Sequence, residues 1–141
     1  MSAAKGARAE RWVAQFLERL GIHVLEMNYR CRRGEIDLVA QEGDTLCFVE
    51  VRYRSGTRYG TALDTISRIK QQRITYTAQH FLAYAWRGPR CACRFDVVTV
   101  EAPEAGTAAD GQQPVLRLWR NAFESCEAGA AGGRQRWGSG M

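Results

Sequence analysis

The stretch GEIDLVAQEGDTLCFVEVRYR, residues 34–54, decides the fold of this chain. Its two halves alternate apolar and polar residues and are rich in Val, Ile, Leu and Phe, a pattern typical of half-buried strands. Between them, Gly43 and Asp44 fit a two-residue loop, because glycine at the first loop position favours a type II′ hairpin turn. Such a loop fixes the register, so that the numbers of paired residues sum to 87. We therefore predict an antiparallel hairpin with this register.

The predicted register places two acidic residues opposite each other. Asp37 faces Glu50 and Glu35 faces Arg52, and all four side chains lie on one face because side chains alternate with period two. Like charges directly opposite destabilise a hairpin. A bound Mg²⁺ would compensate them, since this ion is held by one or two carboxylates together with phosphate oxygens of a substrate. Spacing alone also allows a solvated face with ordinary charges, and the separation of the two carboxylates distinguishes these interpretations.

The charge of the chain is concentrated in its middle third. The formal net charge is +5, but residues 52–94 carry nine Lys or Arg and a single acid, Asp64. A basic segment of this kind favours a phosphate-bearing polymer, although ordinary solvated surface has the same composition. The glycine-rich loop at 55–61 suits phosphate contact and base stacking, or is simply a connection. The residues expected to contact nucleic acid are Arg54, Arg58, Tyr59, Arg68 and Arg73.

Two helices are predicted, and each carries one further candidate. Residues 4–20 form an amphipathic pattern with Glu10 at the rim of the apolar stripe, where it either joins the acidic hairpin or is solvated. Ser67 is a suitable N-cap for a second helix that reaches to about residue 86. The helical angle directs Lys70 toward the protein body, where it would approach the acidic hairpin or grip a phosphate. The alternative for Lys70 is a packed stem with a solvated head.

Further strands are predicted at residues 22–29, 94–100 and 114–120. With the hairpin and the two helices they give the order α-β-β-β-α-β-β, an α/β fold with a central mixed sheet flanked by helices. Residues 1–123 are expected to form a single domain. The Gly-, Ala- and Ser-rich segment 124–141 is expected to be a disordered tail.

The compartment is inferred from the cysteines and from the apolar residues. Five cysteines, an odd number without zinc-type C-x₂-C pairs, indicate reduced thiols. The chain shows neither an apolar run long enough to span a bilayer nor a secretory signal at its start. A cytoplasmic location without a membrane partner is therefore expected.

The order of the motifs resembles that of the YraN-like family of uncharacterised bacterial proteins. The matching motifs are Gly6-x-x-x-Glu10 on a helix, GEIDL at 34–38, FVEV at 48–51, Lys70 at a helix start, RFDVV at 94–98 and NAF at 121–123. That family is similar to the restriction-endonuclease-like nucleases, among them the archaeal Holliday-junction resolvases. The resemblance implies a restriction-endonuclease-like fold and a phosphodiester hydrolase site that depends on Mg²⁺ or Mn²⁺.

Site residues follow from this resemblance position by position. Glu10 matches the helix acid, Asp37 the first strand acid and Glu50 the second, and these three are the implied metal ligands. Arg52 stands where these nucleases have a lysine. Arginine can stabilise charge on a phosphate but cannot act as a base, because its pKa lies above about 12. We hypothesise that Lys70 supplies the missing ammonium group.

Three functions are compatible with these features. The first is a metal-dependent nuclease, with DNA favoured over RNA and branched or junction DNA among its candidate substrates. The second is a nucleic-acid-binding module of the same fold without catalysis, which Arg52 favours. In the third, a protein-interaction role, the acidic residues are only structural. Junction resolvases of similar fold work as homodimers, but no dimer signal is present in the sequence.

Overall fold

The computed structural model describes residues 3–55, 66–102 and 114–125, with side chains at 10–53, 66–101 and 114–125. Within these ranges the element order is α-β-β-β-α-β-β, as predicted. The helices are α1 (Ala3–Arg19) and α2 (Arg68–Tyr84). The strands are β1 (His23–Cys31), β2 (Gly34–Glu42), β3 (Thr45–Ser55), β4 (Ala92–Ala102) and β5 (Val115–Phe123). The predicted tail from residue 126 onward lies outside the described residues.

The five described strands form one mixed sheet in the order β1-β2-β3-β4-β5. β3 and β4 are parallel, and the other neighbouring strands are antiparallel. Parallel neighbours require a long crossover connection, and α2 lies in the connection between β3 and β4. The predicted fold class, a mixed sheet flanked by helices, is confirmed.

The hairpin of β2 and β3 has the predicted register. Its pairs run from Glu42 with Thr45 to Leu38 with Val49, and every pair sums to 87. Gly43 has a φ of +57°, which a type II′ turn requires at its first loop position. Turn chemistry therefore determines which residues of the two strands face each other.

Both faces of the sheet are covered by a helix. Val13 and Leu17 of α1 are fully buried against one face, together with Leu38 and Val49. The other face packs against α2, with Phe48 and Phe95 of the strands in one cluster with Ile74 and Phe81 of the helix. Burial on both sides explains why the central strands carry apolar residues at successive positions.

The helix boundaries agree with the capping signals of the sequence. The Ser67 hydroxyl accepts a hydrogen bond of 3.1 Å from the Lys70 amide, so Ser67 caps α2 as predicted. Gly21, just after α1, has a φ of +81°, the conformation that glycine supplies at helix ends. Neither described helix combines the length and the apolar character needed to cross a membrane.

Candidate active site

The candidate site lies where β2 and β3 separate. Strand pairing stops at Leu38 and Val49. Just beyond this point, the backbone amide of Val51 donates a hydrogen bond of 2.8 Å to Oδ2 of Asp37. The Asp37 carboxyl group is therefore anchored to β3 and lies between the two strands.

Asp37 and Glu50 lie just beyond the paired part of the hairpin, so the direct pairing that the register predicted for them is not part of the ladder. Glu50 is only 5% exposed, and its negative charge acts on the Asp37 carboxyl group. The pKa of Asp37 is raised from 3.8 to about 8, first by burial and next by the negative charge of Glu50; the Val51 amide acts in the opposite direction. Two acids that lie near each other and away from water cannot both ionise without cost. The predicted proximity of the two acids is thus confirmed.

Lys70 supplies a positive charge to this pair from α2. Its Nζ lies 2.6 Å from Oε1 of Glu50, and its side chain is 42% exposed. The Ser67 cap starts α2 at this place and directs the first turn of the helix toward the sheet. The predicted approach of Lys70 to the acidic hairpin is therefore confirmed, whereas its catalytic role stays a prediction.

Glu10 lies at the edge of the site. Its Oε2 accepts a hydrogen bond of 2.8 Å from Nδ2 of Asn28 in β1, and its charge is the smallest of the causes that raise the pKa of Asp37. No three His, Cys, Asp or Glu side chains among the described residues group closely enough to hold a metal ion. The carboxylates available to an ion are thus the pair on β2 and β3, and Glu10 belongs to a surrounding layer.

Asn28 was not among the residues predicted from sequence. It has a φ of +57° within β1, close to the irregular pairing between Val24 and Glu26. Asparagine adopts this conformation more often than most residues do. The presence of an asparagine at position 28 was not enough to predict a positive φ there. Because its side chain holds Glu10, Asn28 is the link between α1 and the sheet at this site.

Arg52 follows Glu50 by two positions on β3 and is half-buried. Strand alternation places both side chains on the face toward α2. The prediction that Glu35 opposes Arg52 on one face is wrong, because pairing of β2 with β3 stops at Leu38 and the neighbouring Ile36 packs on the face toward α2. Glu35 accepts a hydrogen bond of 3.0 Å from Nε of Arg30, its cross-strand neighbour on β1.

Of the residues expected to contact nucleic acid, Arg68 and Arg73 are exposed on α2. Arg58 and Tyr59 lie outside the described residues, as does the side chain of Arg54 on β3. Their expected contacts stay predictions.

A second charged cluster lies away from the acidic pair and centres on Asp96 of β4. Asp96 is 1% exposed and accepts hydrogen bonds from Nε of Arg94, at 2.9 and 3.0 Å, and from the Asn121 amide at 2.9 Å. Arg94 also contacts Glu42 at 2.5 Å, and Arg120 binds the same carboxylate. Hydrogen bonds from both arginines lower the pKa of Glu42 to about 2. This network neutralises a buried charge and explains the RFDVV motif in structural terms.

The structure thus brings together Asp37, Glu50 and Lys70, with Glu10 at the periphery. Two adjacent carboxylates can hold a divalent cation, and an adjacent ammonium can stabilise a phosphate. Hydrolysis of a phosphate ester is one reaction that such a set can support.

Comparison with known proteins gives a family for this chain. The model of the uncharacterised protein family UPF0102 matches residues 9–100. A UPF0102 protein of Methylococcus capsulatus is 48% identical over 122 residues, covering 85% of this chain and 90% of the relative. One from Stutzerimonas stutzeri is 45% identical over 124 residues, covering 88% and 98%, and one from Pseudomonas aeruginosa is 43% identical over 125 residues, covering 88% and 95%. The YraN-like resemblance is confirmed at this level, and the chain belongs to the uncharacterised protein family UPF0102.

Proposed function

We propose that this protein is a metal-dependent nuclease that hydrolyses phosphodiester bonds in nucleic acid, with DNA favoured over RNA. The observation that carries the proposal is a pair of carboxyl groups, Asp37 and Glu50, whose charges act on each other, with an ammonium 2.6 Å from Glu50. Buried like charges cost stability, so a pair of this kind is typical of a functional site. A divalent cation offsets that cost.

The ligand set fits Mg²⁺ or Mn²⁺. Carboxylate oxygens suit both ions, and Mg²⁺ keeps several water molecules and takes one or two carboxylates with substrate phosphate oxygens. Asp37 and Glu50 would hold the ion, and Glu10 would act through water from its position on Asn28. When bound, the ion polarises the scissile phosphate and lowers the pKa of a coordinated water.

Lys70 is proposed to provide the ammonium group that Arg52 does not. An ammonium beside the acidic pair stabilises negative charge that develops on the phosphate. Arg52, on the same face of β3, contributes to binding the phosphate but cannot take up a proton from water. The exposed Arg68 and Arg73 extend the positive charge along α2, so binding is expected to weaken steeply as the salt concentration rises.

A nucleic-acid-binding module without catalysis is the second candidate. Arginine at position 52 favours it, because a strand lysine next to the second acid is absent. The Lys70–Glu50 ion pair favours it too, since an ion would compete with the ammonium for that carboxylate. Both candidates would bind nucleic acid through the same basic surface, and only the first would cleave it.

Cleavage of labelled DNA tests the proposal. Single-stranded, gapped and branched substrates are incubated with the purified protein in Mg²⁺, in Mn²⁺ and in EDTA. Cleavage of at least one substrate with metal, and of none in EDTA, is expected. Asp37→Asn should abolish cleavage and leave salt-sensitive binding intact, whereas Glu35→Gln, an exposed acid on the same strand, should retain activity. Binding without cleavage of any substrate would select the second candidate, and full activity of Asp37→Asn would place the chemistry elsewhere.

A further inference from the structure

An exposed cation–aromatic pair joins α2 to the turn between β1 and β2, away from Asp37 and Glu50. The guanidinium carbon of Arg33, in the turn between β1 and β2, lies 4.5 Å from the centroid of the Tyr76 ring. Tyr76 is 38% exposed, and Arg33 is exposed as well. Both side chains are exposed, so burial of apolar surface does not explain the pair. We therefore considered a role in binding.

The turn that carries Arg33 is held tightly against α2. A Cβ added to Gly34 would lie 3.1 Å from Oγ1 of Thr77 and 3.3 Å from Cβ of Arg73. A side chain at this position would push against the helix, so glycine favours this close approach of the turn backbone. The backbone of the turn therefore places Arg33 beside the residues of α2 that include Tyr76.

The surroundings of the pair are positively charged. α2 contains no Asp or Glu from 68 to 84, and Arg73, one turn before Tyr76, is exposed. Arg32, next to Arg33 in the turn, is exposed too. The nearest acid in sequence, Glu35, accepts a hydrogen bond from Arg30, which offsets its negative charge. Such a surface attracts phosphates, and an exposed aromatic ring within it offers a place for a base.

The separation of the pair from the acidic site can be counted along β2 and along α2. Gly34 precedes Asp37 by three residues on β2, which is about 10 Å of strand. Tyr76 follows Lys70 by six residues on α2, which is about 9 Å along the helix axis. Both elements therefore separate the pair from the acids by roughly three stacked nucleotides at about 3.4 Å each.

We propose that the Arg33–Tyr76 pair is a stacking platform for an unpaired base, and that Arg73 binds a phosphate of the same strand. The ligand is a single-stranded segment of nucleic acid, because a base must leave its duplex to stack on a side chain. The inference rests on the proposed function only for its relation to the acidic site. Binding to the platform requires no metal and no cleavage.

Binding of fluorescein-labelled oligonucleotides, measured by anisotropy in EDTA, tests the platform. The probes are a 20-nucleotide single strand as DNA, the same sequence as RNA, and the blunt DNA duplex. The parent protein should bind at least one single strand more tightly than the duplex. Tyr76→Ala should weaken single-strand binding about 5- to 100-fold and change duplex binding less than twofold. Tyr76→Phe, which keeps the ring, should bind as the parent does.

Tyr84→Ala is the matched control, since Tyr84 lies on the same helix and is 71% exposed. It should retain single-strand affinity, and circular dichroism should show that all variants are folded. Equal affinities of Tyr76→Ala and the parent, or equal losses for single strand and duplex, would overturn the platform. The absence of single-strand binding by the parent would overturn it too. A protein that passes this test but cleaves nothing with Mg²⁺ would retain the platform and refute only the nuclease.

Discussion

Replacement of Asp37 by asparagine should stabilise the metal-free protein at neutral pH. The pKa of Asp37 is raised from 3.8 to about 8, mainly by burial and by Glu50. Below pH 4 the carboxyl group is protonated in both the folded and the unfolded chain, so it makes no difference to stability. Between pH 4 and 8 the unfolded chain has lost this proton while the folded chain keeps it, and the free energy of unfolding falls as the pH rises.

The size of the effect follows from that interval. Each pH unit between the two pKa values costs up to about 1.4 kcal/mol. From pH 5 to pH 7 the parent should therefore lose about 2 to 3 kcal/mol relative to Asp37→Asn. The asparagine Oδ1 can still accept the hydrogen bond from the Val51 amide, so the variant keeps the main contact that holds this side chain.

Urea unfolding of both proteins at pH 5 and pH 7, in EDTA, measures this difference through tryptophan fluorescence. Glu42, whose pKa is lowered to about 2, does not titrate in this window. Addition of Mg²⁺ at pH 7 should raise the midpoint of the parent and leave that of the variant unchanged. A stability difference that does not change with pH would refute the claim that the pKa of Asp37 is raised in the folded protein.

Three further predictions concern catalysis and stability. Lys70→Ala should abolish cleavage of the substrate that the parent cleaves best, while Arg52→Lys should have little effect. A Lys70→Ala variant as active as the parent would show that the ammonium of Lys70 is dispensable. Arg94→Leu should lower the free energy of unfolding by about 3 to 5 kcal/mol in urea, because it leaves the buried Asp96 without its cation. Glu42→Gln should reduce the loss of stability between pH 4.5 and 2, since the lowered pKa of Glu42 contributes stability that is lost as the pH falls through this range.

The acidic pair was predictable because one local feature determines its geometry. A two-residue loop with glycine first favours the observed register, and that register brings Leu38 opposite Val49, which places the next residues, Asp37 and Glu50, at the same end of the hairpin. Lys70 was predictable for a similar reason, since the Ser67 cap sets where α2 begins and the helical period sets where its first turn points. Neither step requires knowledge of the remote parts of the chain.

Other features depend on contacts that a local pattern does not contain. The positive φ of Asn28 lies inside β1, where the register with β2 is regular on both sides, and the Asn28 side chain reaches Glu10 on another element. The Arg33–Tyr76 pair joins residues far apart in sequence, at a place where Gly34 lets the turn approach α2 closely. Asp96 is a similar case, because its partner Asn121 arrives from β5. Sequence periodicity identifies the faces of elements but not which side chains meet across them.

The position of the cation on a helix has a physical consequence. A lysine at position 52 would have its place fixed by β3, the strand that carries Glu50. Lys70 instead reaches Glu50 from α2, whose position depends on its packing against β2 and on the close contact at Gly34. The turn that makes this contact also carries Arg33, which lies 4.5 Å from the Tyr76 ring of the same helix. A strand of nucleic acid on the proposed platform would therefore lie on the helix that carries the ammonium, whereas a lysine at position 52 would be carried by the sheet.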